Sequence, residues 1–97
     1  MGALHIVASA SDGGAALQNC LRVAAHGDAI VLIGNGVYCG ATASFDRIAK
    51  RSGVAWYALV ADIVRRGIAA ELGPVIAIDD GAFVDLVTAH RPIVSWS

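Results

Sequence analysis

Apolar residues come in two rhythms along this chain, and the alternation between them predicts its architecture. Leu4 to Ala8 is a short apolar run that gives way to Ser9, Ser11, Asp12, Gly13 and Gly14, as a strand does where it enters a loop. From Ala15 to Ala25 the period changes: Leu17, Cys20, Leu21 and Ala24 stand at i, i+3, i+4 and i+7, one face of an amphipathic helix. Gly27 is placed to close that helix in a left-handed turn. Ala29 to Ile33 is apolar without a break, the signature of a strand covered on both faces. Gly34-Asn35-Gly36 ends it in a loop, and Ser44 opens a short helix with Phe45, Ile48 and Ala49, stopped by Gly53.

The second half repeats the scheme. Val54 to Leu59 reads as a third strand, rich in β-branched and aromatic residues. Asp62 to Arg66 is a brief helix with its acid early, its cations late and Gly67 behind. Pro74 precedes a fourth strand, Val75 to Ile78. Asp79 or Asp80 can cap the next helix, on which Phe83, Leu86, Val87 and His90 share a face. Arg91-Pro92 stops it, and Ile93 to Trp96 gives a fifth strand. No hairpin signal joins successive strands. The expectation is an α/β fold, three-layer α/β/α, with a mainly parallel sheet of about five strands. No repeat or linker divides it, so residues 1–97 form a single domain.

Composition adds a constraint. A chain of 97 residues buries a limited fraction of its surface, yet 57% of these residues are hydrophobic and only 15% charged. The apolar surplus predicts subunit contacts. A membrane span is the rival, and the best stretch, Ala29 to Phe45, is broken by Gly34-Asn35-Gly36 and too short. A net charge of −1 excludes the basic stripe of a direct nucleic-acid binder. With no signal-peptide pattern at the start, the expected location is cytoplasmic, and the two cysteines are expected as reduced thiols.

The segments Trp56-Tyr57-Ala58-Leu59-Val60-Ala61-Asp62-Ile63-Val64-Arg65-Arg66-Gly67 and Ile78-Asp79-Asp80-Gly81-Ala82-Phe83-Val84-Asp85-Leu86-Val87-Thr88-Ala89-His90, with the closing Ser95-Trp96-Ser97, resemble the TusB/DsrH family of small sulfur-relay subunits. Leu4-His5-Ile6-Val7, Leu17-Gln18-Asn19-Cys20-Leu21, Gly27-Asp28-Ala29-Ile30 and Gly36-Val37-Tyr38 also fall where that family has similar segments. The resemblance spans nearly the whole chain. It implies the same three-layer domain and a place in a heterohexamer with two homologous partners, TusC/DsrF-like and TusD/DsrE-like subunits, two copies of each. Such complexes pass sulfane sulfur as a persulfide to a downstream TusE/DsrC-like carrier, for tRNA wobble-uridine 2-thiolation or for dissimilatory sulfur oxidation. The alternative function is a non-catalytic structural or regulatory module that completes such a hetero-oligomer.

Cys20 is the candidate catalytic residue. Its helix position makes it a small hydrophobe in a core stripe, whereas the resemblance implies a sulfur-handling thiol, since sulfur-oxidiser members carry a cysteine in the matching Leu-x-x-Cys-Leu segment. Cys39 follows the second strand, where open parallel sheets place ligands, but the family usually has a small non-thiol residue there, so Cys39 reads as a local variation and not as a carrier. The family also tends to an acid where this chain has Asn35. Cys20 and Cys39 are too far apart for a Cys-x-x-Cys redox pair. His5, His26 and His90 lack metal-ligand spacing, and no Walker lysine follows Gly34-Asn35-Gly36, so no metal and no cofactor is expected. Asp79 and Asp80 are neighbours that do not face one another, and Trp96 reads as a packing anchor.

Overall fold

Five strands lie side by side in the order β4-β3-β2-β1-β5, and every neighbouring pair is parallel. This is a computed structural model, and it describes residues 2–42, 44–68 and 73–97. The strands are β1 (Leu4–Val7), β2 (Ala29–Leu32), β3 (Ala55–Leu59), β4 (Ile76–Ile78) and β5 (Ile93–Trp96). Between them come α1 (Ser11–Val23), a 3₁₀ segment (Gly34–Ala41), α2 (Phe45–Ser52), α3 (Val60–Arg65) and α4 (Asp80–Ala89). The α/β fold expected from the alternating rhythm is the one found, with the sheet wholly parallel among its described strands.

The strand order explains how the helices are shared between the two faces. From β1 to β4 the chain steps across the sheet in one direction, so right-handed crossovers put α1, α2 and α3 on the same side. The last crossover runs back past β1 to β5, and the same handedness sends α4 to the opposite side. The larger core therefore joins Val7, Ile30, Leu32, Trp56 and Ala58 of the sheet to Leu17, Cys20, Phe45 and Ile63 of the helices. Phe45 meets Trp56 edge-to-face, with ring centroids 4.9 Å apart. The smaller core sets Leu4, Ala29, Val31 and Ile78 against Ala82, Phe83 and Leu86 of α4. β2, at the centre, is buried at all four positions, as its unbroken apolar run requires.

Several boundaries differ from the sequence reading. Regular helix in α1 begins only at Ala15, because Asp12, Gly13 and Gly14 all have positive φ. It ends at Val23 with Ala24 extended, so Gly27 (φ +93) serves the turn into β2 and does not close the helix. The stretch after Gly34, expected as a loop, winds into a 3₁₀ segment eight residues long. There Gly36 lies so close to β1 that a Cβ would collide with the Val7 carbonyl. Gly53 closes α2 in the left-handed region, and Asp79 caps α4 by accepting from the Ala82 amide at 2.8 Å.

Candidate functional site

The two thiols sit in different surroundings, although both are free and buried. Cys20 is wholly enclosed, with Leu17, Ile30 and their neighbours in the larger core. Burial, aided by the negative charge of Asp28, pushes its thiol up to about 12. A thiol at that value is almost wholly protonated near neutrality, and the thiolate is the nucleophile. In the single chain Cys20 lies packed in the α1 stripe with no exposed surface.

Cys39 lies on the 3₁₀ segment and lines a cavity of about 320 Å³. The cavity is set between the start of α1, the 3₁₀ segment and the start of α2, beyond the carboxyl end of β1. Ala10, Leu17 and Ile48 give it apolar walls, and Gln18, Thr42 and Ser44 bring polar groups. Gly13 and Gly14 form one side, where the left-handed turn lets the backbone come close without side chains. The Cys39 sulfur stands 3.9 Å from the Ser9 carbonyl oxygen, and Thr42 Oγ1 donates to the Cys39 carbonyl at 3.1 Å. Burial raises the Cys39 thiol as well, partly offset by a backbone hydrogen bond at the residue itself. Of the two cysteines, Cys39 lines this cavity and Cys20 does not.

The sequence treated His5 and Trp96 as separate structural residues, but the fold joins them through Asp28. His5, buried in β1, contacts Asp28 Oδ2 through Nε2 at 2.9 Å, while Trp96 Nε1 donates to its Nδ1 at 3.1 Å. An indole nitrogen only donates, so Nδ1 must accept, and the proton of the neutral ring sits on Nε2, donated to Asp28. Asp28 also accepts from the amides of Ala3 and Ala25, and these bonds hold its carboxyl below the usual range, Ala25 most of all. No local signal reveals this set, because its members lie 23 and 91 positions apart.

A second polar set ties the 3₁₀ segment to α3. The Gly34 amide donates to Asp62 at 2.8 Å, and Arg66 Nε donates to Asn35 Oδ1 at 2.9 Å. Arg66 also pairs with Asp62 across one helical turn. The N-cap of α3 is Leu59, so Asp62 bonds another segment and does not cap its own helix. The other histidines stay apart: His26 is exposed, and His90 Nδ1 lies 2.8 Å from the Leu86 carbonyl. Among the described residues no group of three His, Cys, Asp or Glu could hold a metal ion, and no helix is long and apolar enough to cross a membrane.

Comparison with known proteins agrees with the resemblance read from the segments. A family model described as DsrH-like protein matches residues 11–93. Protein TusB of Sodalis glossinidius (strain morsitans) is 42% identical over 82 residues, covering 82% of this chain and 86% of that protein. The family-model match runs from the start of α1 through β2, β3 and β4 to the first residue of β5, so it takes in both thiols and the cavity lining apart from Ala10, and the chain belongs to the TusB/DsrH family.

Proposed function

We propose that this chain is a subunit of a cytoplasmic sulfur-relay complex. The observation that carries the proposal is the family match over residues 11–93, supported by 42% identity to a TusB. In this reading the chain assembles with a TusC/DsrF-like and a TusD/DsrE-like subunit into a heterohexamer. The complex passes sulfane sulfur, as a cysteine persulfide, to a TusE/DsrC-like carrier. Similarity to TusB favours 2-thiolation of tRNA wobble uridine as the destination, while the cysteine at position 20 speaks for dissimilatory sulfur oxidation. The surplus of apolar surface supports assembly in either case.

One observation favours the second reading, a non-catalytic module that completes the complex: Cys20 is sealed in the core with a raised thiol. A sulfur-handling Cys20 then depends on docking to expose that face of α1. Co-expression of the tagged chain with its two homologous subunits tests the assembly, and a stoichiometric complex is the expected product. Failure of the three chains to co-purify overturns the proposal. In that complex Cys20→Ala separates the two readings. As packing, the change costs about 1 kcal/mol and leaves sulfur delivery intact; as a carrier, it stops sulfur loading on this subunit while assembly persists.

A further inference from the structure

The cavity beside Cys39 has a position and a size that narrow what it could hold. It lies beyond the carboxyl end of β1, and open parallel sheets bind their ligands outside the carboxyl ends of the strands. At about 320 Å³ it stands at the small end of ligand pockets, suited to a molecule of amino-acid size. Ala10, Leu17 and Ile48 line it with apolar groups beside Cys39, and Gln18 and Ser44 are available to a polar group. A soft, weakly hydrated sulfur group fits such walls better than a charged one.

We propose that this cavity admits a hydropersulfide, R–S–SH, and that Cys39 takes up its outer sulfur. The inference rests on the sulfur-relay reading above, and it names a thiol and an entry site which that reading lacks. Cys39 first gives its proton to solvent. The thiolate attacks the outer sulfur of the donor, a new S–S bond forms at Cys39, and the donor S–S bond breaks. The electron pair leaves on R–S⁻, which is protonated to R–SH. The sum is Cys39–SH plus R–S–SH giving Cys39–S–SH plus R–SH, a transfer that needs no outside oxidant or reductant. Because burial raises the Cys39 thiol, its thiolate fraction and its loading rate increase toward alkaline pH. The donor can be a free small molecule or a persulfide on a protein loop, since either presents the same terminal group.

The test uses the full-length folded chain, exposed in one arm to cysteine persulfide and in another to a persulfide-loaded cysteine desulfurase. Alkylation and peptide mass spectrometry then read each cysteine separately. The expected result is a 32-Da adduct (the mass of one added sulfur) on the Cys39 peptide, retained in Cys20→Ala and lost in Cys39→Ser. Loading by only one donor identifies the source. Gln18→Trp, which roofs the cavity from an exposed helix position, should slow loading by about ten-fold or more while circular dichroism and thermal midpoint stay close to those of the parent. Adducts confined to Cys20, absence of any adduct at alkaline pH, or full-speed loading of Gln18→Trp each overturn the proposal. These outcomes are independent of co-purification, so a chain that assembles but does not load at Cys39 loses this site and keeps its place in the complex.

Discussion

At Asp28 one carboxylate gathers N–H groups from three parts of the chain: the start of β1 at Ala3, the turn after α1 at Ala25, and the buried ring of His5. Its value to the fold is the cost of leaving those donors unmet. Asp28→Ala should destabilise the chain by about 2–3 kcal/mol, measured by urea unfolding with an unchanged m-value. The same residue gives a pH dependence whose sign follows from its lowered pKa. The ionised form is favoured on folding, so its contribution is whole above the ordinary carboxyl value of 3.8 and is lost as acid takes the pH down through the lower folded value. Asp28→Asn, which cannot titrate, should flatten the acid limb of a stability–pH curve below about pH 4 relative to the parent. An equally steep acid limb in the variant would assign that loss to other carboxyls.

Among the elements, the 3₁₀ segment shows how one residue sets the path of eight. Gly36 passes over the end of β1 so closely that the Val7 carbonyl leaves no space for a methyl group. That approach seats Val37 fully in the larger core and brings Cys39 to the cavity wall. The segment is also held by Asp62 of α3 and by Arg66 just after that helix. Gly36→Ala should therefore cost about 3 kcal/mol or more, since the obstacle is strand backbone and cannot rotate away. Thermal unfolding checks this, and a variant within 0.5 kcal/mol of the parent would mean that the segment can lift off β1.

On the scale of the whole molecule, right-handed crossovers leave the two sides of the sheet unequally covered. Among the described residues, three helices and the 3₁₀ segment belong to one side, while α4 is the one helix on the other and has no fully buried residue. Ile76, Val84 and Ile93 are exposed in and around that thin layer. A chain with so much uncovered apolar surface should associate or bind an apolar dye at working concentration. Sedimentation of a strictly monomeric, dye-silent protein would count against this. Val84→Glu should reduce self-association or partner capture by ten-fold or more while shifting stability by only about 0.5 kcal/mol, because Val84 packs little within its own chain.

Much of this protein was legible in its sequence because its signals are local. Apolar runs of strand length, one helical stripe from Leu17 to Ala24, and end signals such as Gly53 after α2 and Asp79 before α4 act on their immediate neighbours, so spacing places the elements and the parallel order follows. The family was legible too, since its segments keep their order along the chain. The sequence named two cysteines and, through the family resemblance, put Cys20 ahead of Cys39, but it did not fix the access of either to a ligand. Access depends on what the fold stacks above each thiol, and that is decided by contacts between residues remote in sequence. Only the tertiary structure seals Cys20 between α1 and the sheet, forms a cavity lined by Cys39 and links Trp96 through His5 to Asp28. Periodicity reports which face of an element is buried; burial of a particular atom, and hence its chemistry, is set by the neighbours that packing brings to it.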